Sequence, residues 1–249
     1  MKKLNEKTVR SLLVVSVILN LLFLGYAGKK MFGRFNSHQD QPTFASDNSY
    51  NGEPDSVTYF VGRNEVLTKL PNDTDEIIML GNSYTQNFEW HEVFKNVNIK
   101  NRGINSDISK GVLKRIHEIT ESKPKKIFIE IGINDLLHRC KADTVLNNYI
   151  RIIQMIRMKS PQTKIFIQNI LPTRWITYVT REPVMNNIIA LNEKLKDYSD
   201  RNNLTYIDLF SHFNNNGKLD PKYDCGDSLH LNGTGYLEWC LLIKKHIEE

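Results

Sequence analysis

Four short stretches of this sequence carry residue types that could do chemistry together. Ser83 lies in Leu80-Gly81-Asn82-Ser83-Tyr84-Thr85, directly after an apolar run. A serine at the end of a strand, ahead of a helix, has an exposed hydroxyl and a free N–H. The helix N-terminus would favour a developing oxyanion there. Serine is also a favoured helix cap, so this stretch alone supports either reading. Near the C-terminus, Asp227 precedes His230 by three residues in a loop before the last helical segment. That spacing lets a carboxylate reach imidazole Nδ1, fix the tautomer and steady an imidazolium, leaving Nε2 for a nucleophile. Of the seven histidines, two have an Asp at this offset, His138 after Asp135 and His230 after Asp227, and of these only His230 lies in a loop before the last helical segment. Gly103, in Asn101-Arg102-Gly103-Ile104-Asn105, can offer its N–H to a ligand or simply make a turn. Asn134, in Gly132-Ile133-Asn134-Asp135, can donate its side-chain amide, with Asp135 read as the cap of the following helix.

Elements that could position these residues are legible in the hydrophobic pattern. Short runs rich in β-branched residues mark five strands: Glu76–Leu80, Val97–Lys100, Lys126–Ile131, Lys164–Gln168 and Leu204–Asp208. Between and after them, helical spacing covers Ile108–Glu121, Thr144–Lys159, Val184–Asn202 and Gly233–His246. This alternation predicts a three-layer α/β/α domain with a parallel sheet of about five strands and helices on both faces. Ligands of such folds sit outside the carboxyl ends of the strands, and the four stretches fall after strands or before the last helix.

Taken in order, the stretches supply a nucleophile, a base with its orienter, and oxyanion donors. On these residues the sequence resembles the SGNH (GDSL-like) hydrolases, whose four blocks carry Ser, Gly, Asn and His. They match here Ser83, Gly103, Asn134 and His230, with Asp227 matching the family's Asp-x-x-His. The resemblance runs from about Tyr59 to the C-terminus. It implies a flavodoxin-like sheet and a catalytic triad of Ser83, His230 and Asp227. It also implies an oxyanion hole from the N–H groups of Ser83 and Gly103 with the Asn134 amide, and no cofactor or metal. The first block departs from the usual Gly-Asp-Ser: Asn82 is isosteric with Asp but neutral, so the field near the nucleophile changes.

The stretch Leu171–Met185 is long for a connection. Arg174, Trp175, Tyr178 and Arg181 within it are candidates for one wall of a substrate crevice, together with Asn82, Trp90 and His91. A packed surface loop is the alternative. Aromatic and Arg side chains suit sugars, and the resemblance is closest to bacterial members that remove acetyl groups from carbohydrates, sialic acids among them. The expected substrate is therefore a small acyl ester on a sugar or glycan. An O-acetyltransferase could use the same triad, and a glycan-binding domain without activity is a further alternative. A flavodoxin-like cofactor binder is disfavoured, since no glycine-rich phosphate loop follows the first strand.

The N-terminus reads separately. Residues 1–10 form a basic segment and residues 11–28 (Ser11 to Gly28) carry no charge. As a helix that run would span about 27 Å, close to a bilayer core. It is read as an uncleaved signal anchor; a signal peptide is the alternative, with Gly25-Tyr26-Ala27 as a weak cleavage site. Residues 29–55 are polar and read as a flexible tether, and 56–249 as the catalytic domain. The expected location is the cell envelope, with the domain on the periplasmic side, or secretion if the segment is cleaved. The formal charge of +5 comes from residues 1–34, which hold seven Lys/Arg and one acid, so the remainder is near neutral and nucleic acid is not an expected partner. Three cysteines (Cys140, Cys225, Cys240) are an odd set; one bridge between Cys140 and Cys225 is open, and no C-x-x-C pair suggests zinc. Asp220, Asp224 and Asp227 are read as solvated turn carboxylates rather than a calcium site.

Overall fold

The computed structural model describes residues 57–175 and 183–249. The basic segment, the apolar run and the tether lie outside the described residues, as do Tyr178 and Arg181. Among the described residues no helix is long and apolar enough to cross a membrane.

Five strands form one sheet: β1 Ile77–Gly81, β2 Ile99–Gly103, β3 Lys126–Glu130, β4 Lys164–Gln168 and β5 Thr205–Ile207. Their order is β2-β1-β3-β4-β5, and every pairing is parallel. All five residues of β1 and of β3 are buried, which explains why their apolar residues are consecutive rather than alternating, with Lys126 and Glu130 at the two ends of β3. The helices are α1 Val57–Thr68, α2 Ser83–Gln86, α3 Trp90–Val93, α4 Ser109–Glu121, α5 Ile133–Leu137, α6 Ala142–Lys159, α7 Met185–Arg201, α8 Phe210–Phe213 and α9 Gly233–Glu248. The four long helices expected from the sequence, α4, α6, α7 and α9, are present within two residues at each boundary. Helix α1 had no counterpart in the hydrophobic pattern, and α3, α5 and α8 are too short to show periodicity.

The chain leaves β1 in one direction to build β2 and returns to place β3 on the other side of β1. Connections therefore diverge at the carboxyl ends of β1 and β3, and that switch point is where a crevice is expected in an open parallel sheet. Loops at this end are fixed by buried side chains. Tyr149 of α6 satisfies both backbone groups of Ile131, accepting from its N–H (3.0 Å) and donating to its carbonyl (2.9 Å). Asn192 of α7 does the same for Ile170, at 2.9 Å each way. Gly132 has φ +136°, a conformation that a side chain would strain, and it turns the chain from β3 into α5. At the opposite end, buried Lys126 donates to the carbonyls of His246 and Ile247 (2.7 and 3.0 Å), placing a cation at the C-terminus of α9.

Two expectations change, and the open question of a Cys140–Cys225 bridge is answered. Val97 is 77% exposed and precedes the strand, so β2 starts at Ile99 and Gly103 is its last residue rather than part of a following loop. Asp135 does not cap the helix after β3. It sits inside α5 and accepts from the N–H (2.9 Å) and hydroxyl (2.6 Å) of Ser109, so it caps α4 instead. All three cysteines are free thiols.

Candidate active site

Ser83 opens α2 immediately beyond β1. Asn82 caps this turn, its side chain accepting from the N–H of Tyr84 at 2.9 Å. Ser83 Oγ lies 2.9 Å from His230 Nε2, and His230 Nδ1 lies 2.6 Å from Asp227 Oδ2. The other Asp227 oxygen accepts from the N–H groups of Leu229 (2.8 Å) and His230 (2.7 Å). The three-residue spacing thus makes a turn closed by the carboxylate itself, with the imidazole held over it. Burial pushes the Asp227 carboxyl up, but the hydrogen bonds from the His230 side chain and from the backbone of His230 and Leu229 outweigh it and hold it below its ordinary range. The Asp227 side chain is 41% exposed and that of His230 26%, so the acid stands at the rim and the base behind it.

Two tyrosines tie the serine turn to the histidine loop. Tyr84 donates to the Leu229 carbonyl (2.9 Å), and Tyr236 of α9 donates to the Tyr84 carbonyl (3.0 Å). The Tyr84 ring packs against the imidazole with centroids 5.5 Å apart. Asn232 caps α9 by accepting from Gly235 N–H (2.9 Å), which fixes the exit of the loop.

The expected oxyanion donors are placed as follows. Gly103 pairs with Gly81 in register and packs against the serine turn. A Cβ there would lie 2.3 Å from Gln86 N and 2.8 Å from Asn82 O, so the glycine is demanded by close backbone packing. Its N–H already donates to Asn101 Oδ1 at 2.9 Å, so a role for Gly103 on an oxyanion requires that bond to be shared or released. Asn134 donates one amide hydrogen to the Asp107 carbonyl (2.9 Å), which leaves the second for a ligand. Beneath them Arg115 bonds the Asp107 carboxylate and the carbonyls of Gly81 and Arg102. It therefore locks the ends of β1 and β2 together.

The expected substrate wall is largely redirected. Trp90 is 1% exposed, donates to the Thr85 carbonyl (2.8 Å) and packs edge-on to Trp239, so it is a core residue. Asn82 is fully buried and serves as a cap. Arg174 pairs with Asp224 (2.5 Å), and Trp175 donates to the Asp227 carbonyl (2.6 Å). Both belong to the support of the histidine loop. His91 is exposed on α3. The Asp224 side chain is 4% exposed, not a solvated turn carboxylate. Tyr84, Tyr236 and Arg115 were missed because they lie in stretches that read as core; adjacency to Ser83 was the one signal for Tyr84.

Asp224, Cys225 and Asp227 bring donor atoms within 4.8 Å of one another. Both carboxylates are engaged by the bonds above, so the group does not offer a metal an open set of ligands.

A serine hydroxyl in line with an imidazole and a carboxylate is an arrangement that can attack an acyl carbonyl. Residues 55–237 match the GDSL-like Lipase/Acylhydrolase family. The chain belongs to this family. Its members hydrolyse esters, and the acylhydrolase assignment follows from that membership. The chain is 28% identical over 184 residues to the human platelet-activating factor acetylhydrolase IB subunit alpha2, covering 71% of this chain and 78% of that protein. Among solved structures it is similar to a GDSL-like lipase from Bacteroides thetaiotaomicron, with TM-score 0.67, 21% identity, and coverage of 76% of this chain and 97% of the other. It is also similar to an acetyl-xylooligosaccharide esterase from Geobacillus, with TM-score 0.58, 14% identity, and coverage of 71% and 95%. At these identities the structural likenesses speak for the fold of this acylhydrolase.

Proposed function

We propose that this acylhydrolase is a serine esterase that removes small acyl groups, acetyl foremost, from a carbohydrate or glycan. The observation that carries the reading is the unbroken chain Ser83 Oγ, His230 Nε2, His230 Nδ1, Asp227 Oδ2, with links of 2.9 and 2.6 Å. His230 takes the proton of Ser83 as Oγ bonds to the ester carbonyl carbon. The oxyanion is held by the Ser83 N–H and the free hydrogen of the Asn134 amide, with Gly103 N–H able to join by turning from Asn101. Collapse breaks the ester C–O bond, and His230 gives its proton to the leaving alcohol. Water then attacks the acyl-enzyme with His230 as base, and Ser83 leaves with the proton. Asp227 stays ionised throughout, consistent with its lowered pKa.

The preference for acetyl is supported by the names of two relatives, an acetylhydrolase and an acetyl-xylooligosaccharide esterase. The carbohydrate alcohol rests on the second of these and on the sequence resemblance. Acetate release from acetylated xylo-oligosaccharides and acetylated sialic acid, set beside aryl esters of rising chain length, tests the reading. Fast acetyl release from a sugar with a steep fall beyond butyryl supports it. Equal or better cleavage of long acyl chains would remove it.

The same reading takes the uncharged run Ser11–Gly28 as an anchor that holds the enzyme at the envelope with its domain outside the cytoplasm. The basic flank of residues 1–10 and the length of the run support this. Membrane fractionation with protease protection tests it: recovery of the protein as a freely soluble cytoplasmic species would contradict it.

A further inference from the structure

The loop that carries Asp227 and His230 is held in a conformation its own residues do not favour. Ser228, between them, has φ +67°, a left-handed value uncommon for a residue with a side chain. Its backbone is gripped on both sides. The Ser228 N–H donates to Asp224 Oδ1 (3.0 Å), and its carbonyl accepts from Thr173 Oγ1 (2.7 Å) and from the Arg174 N–H (3.1 Å). Asp224 Oδ1 also accepts from Gly226 N–H (2.7 Å), while Oδ2 takes the Arg174 guanidinium at 2.5 Å. Trp175 completes the grip through its indole N–H on the Asp227 carbonyl, 2.6 Å. Every one of these donors outside the loop comes from the three residues Thr173, Arg174 and Trp175.

We infer that Arg174 and Asp224 form a latch that positions the triad, with Arg174 acting on the histidine loop and not on substrate. The inference rests on the triad reading above. Asp224 is the centre of the latch: its side chain is 4% exposed and braces the strained Ser228 N–H. Two backbone N–H groups hold one oxygen, and the guanidinium holds the other in place. Hydrogen bonds from the backbone and from Arg174 together hold the Asp224 carboxyl below its ordinary range although burial opposes this. Without Arg174 the carboxylate loses its side-chain partner and the loop regains freedom. Asp227 and His230 then lie less often in line with Ser83, and a misplacement of about 1 Å is costly for catalysis.

Kinetics of the full chain on an aryl acetate distinguish this from substrate binding. Arg174→Met is expected to lower kcat by about ten- to a hundredfold with KM within about twofold. Arg174→Lys should recover part of kcat, since an ammonium can still reach Asp224. Asp224→Asn should lower kcat, and the Arg174→Met/Asp224→Asn double variant should be no worse than about the poorer single one, as for two members of one unit. Thermal melts confirm folding; if Asp224→Asn does not fold, the contrast between Arg174→Met and Arg174→Lys decides. A raised KM at unchanged kcat in Arg174→Met would place the guanidinium on substrate and overturn the latch. Additive losses, or wild-type kcat in Arg174→Met beside an inactive Ser83→Ala, would overturn it while leaving the triad standing. Full activity in Ser83→Ala would remove the triad and the latch with it.

Discussion

The hydroxyl of Tyr84 donates to the carbonyl of Leu229 at 2.9 Å. Tyr84 follows Ser83 and Leu229 precedes His230, so one buried bond spans the two halves of the candidate triad across 145 residues of sequence. Tyr84 is fully buried, and burial raises its pKa well above the ordinary value, which keeps the O–H as a donor at any physiological pH.

Tyr84→Phe removes that bond and keeps the ring that packs on the imidazole. It leaves the Leu229 carbonyl without its buried partner, which costs about 1–3 kcal/mol of stability. Because the lost bond ties the serine turn to the histidine loop, kcat is expected to fall about tenfold while KM changes little. Urea unfolding and steady-state kinetics on the same preparation check both effects.

Gly103→Ala is expected to damage the site more than its size suggests. The new methyl would meet Gln86 N at 2.3 Å, Gln86 Cα at 2.7 Å and Asn82 O at 2.8 Å, all backbone atoms of the serine turn. These cannot rotate away, so the turn carrying Ser83 must move, at a cost of about 1–3 kcal/mol. Activity is expected to drop about a hundredfold in a protein that still folds. An alanine variant with parental kcat would show that the turn tolerates displacement.

Glu130 predicts how stability changes with pH. Its carboxyl is fully buried, neither oxygen has a hydrogen-bond partner among the described residues, and burial pushes its pKa up to about 8. The unfolded chain releases this proton near the ordinary carboxylate value, about 4.3. Between the two values the native state binds more protons than the unfolded state, so stability falls as pH rises and the loss is complete above the folded value. The total is on the order of a few kcal/mol. Asp107 and Asp135, both raised to about 6 by burial, add a slope of the same sign over a lower window. Glu130→Gln should flatten the unfolding free energy between pH 6 and 8, on the order of the window above. An unchanged slope in urea titrations across that range would show that Glu130 is not the group responsible.

Much of this was visible in the residue pattern, and the gaps have physical causes. Strands β1, β3 and β4 carry consecutive buried apolar residues (Ile77–Leu80, Ile127–Ile129 and Ile165–Ile167), so their positions could be read directly. β2 was misplaced because its burial is interrupted, with Lys100 and Asn101 half-exposed at an edge of the sheet. The juxtaposition of Ser83, Asp227 and His230 could be anticipated because a nucleophile, base and carboxylate would need a fixed local spacing and a strand end. Trp90 was misread because aromatic character suits both a sugar platform and a core, and only its neighbours Phe88, Tyr236 and Trp239 decide between them. Arg174 and Asp224 meet across 50 residues, a pairing no local spacing encodes.

Ser83, His230 and Asp227 are expected to act as one catalytic unit. Hydrolysis of an aryl acetate by the parent, Ser83→Ala and His230→Ala tests it most directly. We expect a loss of roughly three or more orders of magnitude in kcat in each variant, with the double variant about equal to either single one. Parental activity in Ser83→Ala, or losses that multiply in the double variant, would contradict it.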